Sequence, residues 1–402
     1  PIWAFRMTYR FRLYPTLEQA GQMDEACRSA RKVWNVGVEQ FEFAARYHRG
    51  KRVAWPSHAE RDRQLTEARA EFAWLAAGSR VVQSQALRDL DRAYRNWWGN
   101  PAHFGRPKFH KEGRCGGFAI TDVARWRKVR KVNRRWGEVS LPCIGWVRFR
   151  LTRPFARLLE AKSARITVDR CGRWHVSFPL AQVPRERTRT GSVLGVDRGV
   201  VNTLATSEGG FDHAPSLSVG EHAEALRRAV ARSAENYRGP LDAVHKHAYA
   251  RALARLRDRR RDWIEKSTTA LVRDYDLIVV EKLNIQGMVR SAKGSIEEPG
   301  INVRAKAGLN RAILAQCWGE WLTRLKQKAA LCGVEVIEVS ARNTSRRCRA
   351  CGYTAPENRD SQAEFRCVAC GHEDHADINA ALNILDRGLK ARTAPEPLGA
   401  AA

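Results

Sequence analysis

The sequence predicts a multidomain α+β protein: a β-rich block interrupted by a long helical insertion, then an α/β sheet carrying an inserted zinc ribbon. Three observations predict it. Apolar and basic residues alternate with period 2 near the start and in the middle of the chain; further on, buried apolar runs end in an acid; and two C-x₂-C pairs stand near the end. At 402 residues, the chain has room for roughly two to four domains.

Composition narrows the partners. Lys and Arg number 71 against 43 Asp and Glu, a formal net charge of +28, which attracts phosphate polymers. A hydrophobic fraction of 44% with 13 Trp and 13 Phe excludes a disordered basic tail. No apolar run approaches the ~20 residues of a membrane span. The opening residues resemble neither a secretory signal nor a lipidation sequence, so a cytoplasmic, nucleoid-associated protein with reduced cysteines is expected.

Tyr9, Phe11 and Leu13 alternate with Arg10 and Arg12 in a strand that Pro15 ends. Thr16-Leu17-Glu18-Gln19 then has capping-box spacing and opens helical segments reaching to about Trp98. Ala26, Ala30, Val33, Trp34 and Val38 form one apolar stripe, and Val82, Leu87, Leu90 and Tyr94 another. Strands return in the middle, where Arg148 and Arg150 alternate with Phe149 and Leu151. Ile166 and Val168 face Trp174, Val176 and Phe178 across Asp169-Arg170-Cys171-Gly172, a hairpin signal. The first strand is expected to join this later block, which makes the helices an insertion. Residues 101–187 hold 21 basic against 6 acidic side chains, whereas residues 16–100 hold 14 against 11. Trp126, Trp136, Trp146, Phe149, Trp174 and Phe178 are interleaved with that charge, a pattern that can hold a phosphate backbone and stack bases.

After a polar linker at 184–191, Val193-Leu194-Gly195-Val196-Asp197 reads as a buried strand ending in a carboxylate, with a second strand over 200–206. A basic helix over 247–273 leads to Leu277-Ile278-Val279-Val280-Glu281, again apolar with an acid at its end. One helix over 309–331 carries Leu314, Cys317, Trp321 and Leu325 on a face, and a strand follows at 334–339. Open α/β sheets place ligands at the carboxyl ends of such strands. A third acid, Asp377, stands near the start of an amphipathic helix in Asp374-His375-Ala376-Asp377-Ile378-Asn379-Ala380-Ala381. Asp374 competes for that place and is assigned instead to a loop or N-cap. Three converging carboxylates repel unless cations separate them, and oxygen donors suit Mg²⁺ or Mn²⁺. Two such ions about 4 Å apart activate water and stabilise the leaving oxygen in phosphodiester cleavage.

Cys348-Arg349-Ala350-Cys351 and Cys367-Val368-Ala369-Cys370 are separated by 15 residues, and Gly352 and Gly371 follow each pair. This spacing supplies four thiolates to a structural, tetrahedral Zn²⁺. His372 and His375 are substitute ligands that the count does not require. Cys27, Cys115, Cys143, Cys171, Cys317 and Cys332 lack paired spacing and are expected to be packing residues.

Gly195-Val196-Asp197-Arg198-Gly199-Val200, Ile278-Val279-Val280-Glu281-Lys282-Leu283-Asn284-Ile285, the cysteine knuckles and Ala376-Asp377-Ile378-Asn379-Ala380-Ala381 together resemble the split RuvC nuclease and inserted zinc ribbon of the TnpB family. These are transposon-encoded RNA-guided DNA endonucleases related to miniature type V CRISPR effectors. Tyr9 to Thr16, Gln85 to Ala93, Gly105 to Phe109, and Leu309 to Leu314 with Trp318-Gly319-Glu320 are similar to the family's other blocks, in the same order.

The resemblance implies an RNase H-like (RuvC) domain at 188–343 and 371–388, with Asp197, Glu281 and Asp377 as catalytic, Mg²⁺-binding carboxylates. It further implies a zinc ribbon at 344–370, a β-barrel-like wedge domain at 1–15 and 101–187, a helical recognition domain at 16–100 and a disordered tail at 389–402. A guide RNA and target double-stranded DNA are the implied partners, in a monomeric ribonucleoprotein without a membrane. Lys108, Arg148 and Arg150 are candidates for phosphate contact, and Arg80, Gln83 and Gln85 for base edges in a short target-adjacent duplex. Trp263-Ile264-Glu265-Lys266-Ser267 and Thr344-Ser345-Arg346-Arg347 depart from the family pattern. Two other readings are an RNA-guided repressor that does not cleave and an RNA-independent zinc-ribbon DNA-binding or transposition protein. All three acids are present, which argues against the first; the lack of a recognisable tyrosine or serine nucleophile argues against strand transfer.

Overall fold

In the computed structural model, which describes residues 7–47, 57–111, 116–121, 123–125, 127–181, 183–216, 240–295 and 297–393, the alternating start of the chain folds as β1 (Met7–Tyr14). Trp126, Cys115 and residues 394–402 lie outside the described residues. The chain divides into two compact units, residues 1–182 and 183–402.

In the first unit, the Gln19 N–H donates to Thr16 Oγ1 at 3.2 Å and the Thr16 N–H to Gln19 Oε1 at 3.1 Å, the reciprocal bonds of the capping box. They open α1 (Leu17–Tyr47), which is followed by α2 (His58–Glu71), α3 (Ala73–Ala76) and α4 (Arg80–Gly99). The strands β2 (Gly117–Thr121), β3 (Val129–Lys131), β4 (Trp136–Leu141), β5 (Gly145–Arg150), β6 (Ser163–Val168) and β7 (Trp174–Leu180) complete a seven-stranded antiparallel sheet with β1. Its order is β2-β6-β7-β1-β5-β4-β3. β1 thus sits between β7 and β5, with Phe11 opposite Val176 and Leu13 opposite Phe149. Ile166 pairs with Val176 and Val168 with Trp174 in the anticipated hairpin.

The apolar positions of the alternation point to one side. Phe11, Phe149 and Phe178 are fully buried, with ring centroids 5.2 to 6.1 Å apart. Each contributes about 1.5–3 kcal/mol of hydrophobic burial. Met23, Cys27 and Val33 of α1 and Val82 and Leu87 of α4 belong to the same cluster, so the helices and the sheet share one core. Phe149, Trp174 and Phe178 are therefore interior packing and not stacking rings on a cationic surface.

The second unit holds a five-stranded sheet of order β10-β9-β8-β11-β12. β8 (Val193–Asp197), β11 (Leu277–Lys282) and β12 (Glu335–Ser340) are parallel, while β9 (Leu204–Thr206) and β10 (Phe211–Asp212) run antiparallel beside them. The strand expected over 200–206 is shorter because residues 199–202 form a turn, closed by the Gly199 N–H on the Asn202 carbonyl at 3.0 Å. Among the described residues its helices are α5 (Pro240–Asp274), α6 (Ile285–Met288), α7 (Val303–Ala315), α8 (Trp318–Cys332) and α9 (Ala376–Thr393).

Two expectations need correction here. The single helix at 309–331 is two, because Cys317 has a φ of +57° and breaks the ladder between α7 and α8. Residues 389–393, expected in a disordered tail, continue α9. Among the described residues, no helix is long and apolar enough to cross a membrane.

Candidate active site

Strand parity brings the acids together. Successive side chains of a strand point to opposite faces. Leu194 and Val196 of β8 and Ile278 and Val280 of β11 pack with Ile264 of α5 and Trp321 and Leu325 of α8. Val193, Leu277 and Val279 take the other face, with Ile384 of α9. Asp197 and Glu281 continue that second set, and Asp377 lies in the first turn of α9 on the same side. The helix lies close because two contacts lack a side chain. A Cβ at Gly195 would meet the Ala381 carbonyl oxygen, and one at Gly388 would meet the Val279 side chain. Asp197, Glu281 and Asp377 consequently line one cleft of about 200 Å³ with Arg198, Thr344 and Arg359. Asp374 is not among the lining residues; it lies in a short strand, Glu373–His375, where its Oδ1 accepts the His375 N–H at 2.7 Å.

The cleft is electrostatically strained. Burial, then the neighbouring Glu281 and Asp377, push the Asp197 carboxyl up to about 8, against the opposing pull of Arg359 and the Arg198 N–H. Burial also raises Glu281, with Asp377 adding to it and Arg198 opposing. The three acids line one cleft with a donor set whose chemistry suits a hard divalent cation, but they do not converge as closely as the four cysteines, the one group among the described residues whose ligand atoms all lie within 4.8 Å of one another.

Three residues around the acids carry no signal in the local sequence pattern. Arg198 is buried; its N–H donates to Glu281 Oε1 at 3.2 Å and its guanidinium to the Glu281 carbonyl. Asn202 Nδ2 donates to Asp377 Oδ2 at 2.9 Å, and Arg359 Nη2 approaches Asp377 Oδ1 at 3.3 Å. Asn202 and Arg359 stand 175 and 18 positions from Asp377, so only the fold relates them.

The four knuckle cysteines also meet. The Sγ atoms of Cys348, Cys351, Cys367 and Cys370 lie within 4.8 Å of one another. The Gly352 N–H returns to the Cys348 carbonyl at 3.0 Å and the Gly371 N–H to that of Cys367 at 2.9 Å; both glycines have positive φ. Burial alone raises the Cys367 thiol, but the N–H groups of Cys370 and Ala369 bring it down to about 7. Four converging sulfurs fit a closed zinc site.

Asparagines fasten the ribbon to the cleft. Buried Asn358 joins the two knuckle loops, donating to the Arg346 and Tyr353 carbonyls and accepting the Val368 N–H. One turn apart on α9, Asn379 and Asn383 donate to the Arg347 carbonyl at 2.9 and 2.7 Å. Hydrogen bonds thus link the ribbon to α9, the helix of Asp377.

The other cysteines divide. Cys27, Cys317 and Cys332 pack against the cores as expected, Cys171 is half-buried, and Cys143 is corrected to an exposed turn residue with φ of +62°. The departure at Trp263 to Ser267 is a packing solution: Ile264 is buried, and Glu265 pairs with Arg324 at 2.6 Å and Lys328 at 3.0 Å.

The candidate nucleic-acid contacts separate by exposure. Gln83 is fully buried and corrected to a structural role, since its amide bonds Ser29 Oγ, the Leu75 carbonyl and Arg69. Gln85 is buried as well, its amide donating to Asp89 at 3.0 Å. Arg80 is exposed beside Asp62, and Lys108 is exposed. Arg148 is on the outer face of the sheet, bonded to Glu138, which also holds Arg130. On that face Arg130 lies 4.2 Å from the centroid of the Trp146 ring, Arg150 lies 5.4 Å from that of Trp136, and Tyr14 meets Trp136 edge-on.

Residues 177–292 match a family model described as "Probable transposase", residues 318–384 a "Cas12f1-like, TNB domain" and residues 6–50 a "Helix-turn-helix domain". Over 394 residues the chain is 33% identical to "Putative RNA-guided DNA endonuclease InsQ" of Escherichia coli (strain K12), covering 94% of this chain and 92% of that protein. The chain belongs to the TnpB family. A second TnpB-family relative, "Putative RNA-guided DNA endonuclease" of Streptomyces pristinaespiralis, is 28% identical, covering 96% of this chain and 90% of its own. The fold is that of a solved Cas12f1 chain in complex with sgRNA and target DNA, at a TM-score of 0.51 and 12% identity, over 95% of this chain and 98% of that one. In this TnpB-family chain the described part of residues 6–50 is β1 and a single helix, α1, with no turn between two helices.

Proposed function

We propose that the chain is an RNA-guided DNA endonuclease with one RuvC-like, RNase H-like active site at Asp197, Glu281 and Asp377. The observation that carries the reading is the meeting of these acids, from β8, β11 and α9, in one buried cleft. Residues 188–343 and 371–388 form the nuclease domain in this reading, and 344–370 a ribbon closed by Zn²⁺ on Cys348, Cys351, Cys367 and Cys370. Residues 1–15 and 101–187 form the wedge, and 16–100 the recognition helices.

The three acids hold two Mg²⁺ ions, with Mn²⁺ as a substitute. When bound, the pair supplies activation of water and stabilisation of the leaving oxygen in phosphodiester hydrolysis. The chain's own residues do the rest. Arg198 fixes the end of β11 through the Glu281 main chain, and Arg359 places a positive charge beside Asp377. The Arg130, Arg148 and Arg150 face, with Trp136 and Trp146, holds guide RNA through phosphate contact and stacking. Arg80 and Lys108 are left as contacts to the target duplex, whose sequence is read by pairing with the guide.

Purified complex with its co-purified RNA, incubated with matching plasmid and Mg²⁺, is expected to cut DNA, and Asp197→Ala to abolish cutting while retaining RNA. Equal cutting by parent and Asp197→Ala refutes the site. Sequence-specific binding that survives removal of the RNA refutes guiding.

A further inference from the structure

The turn at 199–202 between β8 and β9 is held from two sides. On one side, Asn202 Nδ2 donates to Asp377 Oδ2 at 2.9 Å. On the other, Gln316 Nε2 donates to the Val200 carbonyl at 2.9 Å, and the Thr203 hydroxyl donates to Gln316 Oε1. Gln316 sits at the elbow between α7 and α8, where Cys317 takes its left-handed conformation. Both ends of the Gln316 amide are thus used on the two residues flanking Val201 and Asn202.

This arrangement does more than close a turn. A carboxylate is oriented most firmly when both of its oxygens are engaged, and Asp377 has one oxygen on Asn202 and the other near Arg359. Removal of the Asn202 amide leaves Asp377 oriented by Arg359 alone, a long side chain and a weaker director at 3.3 Å. Groups that bond a metal-ligating carboxylate from behind typically alter metal affinity or activity about 10–100-fold.

We propose that Gln316 and Asn202 form a positioning chain that holds the Asp377 carboxylate in register with Asp197 and Glu281, so that the α7–α8 elbow sets the affinity of the cleft for a divalent cation. This rests on the reading of the cleft as a cation site. Neither residue touches the reacting atoms; both act through Asp377.

The test uses the full, zinc-loaded chain and Mn²⁺ binding measured by calorimetry and electron paramagnetic resonance, which needs no cleavage. Asn202→Ala is expected to weaken Mn²⁺ binding about tenfold or more, with melting temperature and zinc content unchanged. Gln316→Ala is expected to weaken it in the same direction by less, and the double variant to bind as Asn202→Ala does, since the two act in series. Gln316→Glu keeps the bond from Thr203, loses the donor to Val200 and sets a carboxylate oxygen against that carbonyl; it carries the test should the alanine variants fold poorly, with weaker Mn²⁺ binding expected. Parent-like affinity in Asn202→Ala or in Gln316→Glu overturns the chain, as do multiplicative losses in the double variant. Asp197→Ala separates the two levels. If it binds Mn²⁺ as the parent does, the cation-site reading itself fails and takes this inference with it; if it alone loses binding, only the positioning chain fails.

Discussion

Cation binding by the cleft is predicted to depend steeply on pH, because the ion must displace a proton that burial and like charge keep on Asp197. With its carboxyl pushed up to about 8, roughly one molecule in a hundred is ionised there at pH 6 and roughly one in ten at pH 7. Apparent Mn²⁺ affinity of the zinc-loaded chain should therefore rise about tenfold per pH unit between 6 and 8 and level off above. Glu281 is raised as well and steepens the dependence in the same direction. Stability carries the opposite sign. A carboxyl whose folded value exceeds its unfolded value of about 3.9 contributes stability in full at low pH and loses it as pH rises through about 8. The cation-free chain should lose up to about 1.4 kcal/mol per pH unit across that window, and added Mn²⁺ should restore it. Calorimetry in buffers of different ionisation enthalpy reads the proton directly: about one released per ion at pH 6, falling towards none near pH 9. A flat affinity from pH 6 to 8, or an Asp197→Asn variant with the same slope, would refute the assignment of strain to this carboxyl.

Arg359→Ala removes a positive charge that holds Asp197 down, so the pH at which Mn²⁺ binding levels off should move upwards, as the same titration would record. Cys348→Ser should lose zinc and, because Asn379 and Asn383 tie the first knuckle to α9, lower cleavage more than RNA binding; metal analysis beside a cleavage assay checks both. Gly195→Ala forces a methyl against the Ala381 carbonyl and should cost about 1–3 kcal/mol in urea unfolding, with Mn²⁺ binding weakened as α9 lifts. Phe149→Ala should cost about 3–5 kcal/mol in the first unit and leave Mn²⁺ binding unchanged.

The legible parts of the molecule were those written in local periodicity. Alternation at Tyr9, Phe11 and Leu13 identified a strand with one buried face, which packs into the shared core while its backbone edges pair with β5 and β7. Apolar runs ending in Asp197 and Glu281 marked strands of an α/β sheet, in which the structure sets them side by side and parallel, and the knuckle spacing marked a four-sulfur cluster. What escaped was decided by three-dimensional surroundings. Gln83 looks like a surface amide until Arg69 and Ser29 are found facing it. Phe178 and Trp174 look like stacking rings beside cations, but their parity turns them inward. The break at Cys317 has no glycine or proline to announce it, so the apolar stripe reads straight through. Asn202 and Arg359 are ordinary polar residues until the fold sets them on Asp377.

Fastening the helix of Asp377 to a cysteine cluster has a chemical cost for the cell that carries it. Cys351 and Cys370 are open to solvent, so peroxide or a disulfide reagent can reach the sulfurs without entering the acidic cleft. In the proposed zinc ribbon, oxidation there would remove ligands of the ion and loosen the knuckle to which Asn379 and Asn383 tie α9, with every acid of the cleft intact.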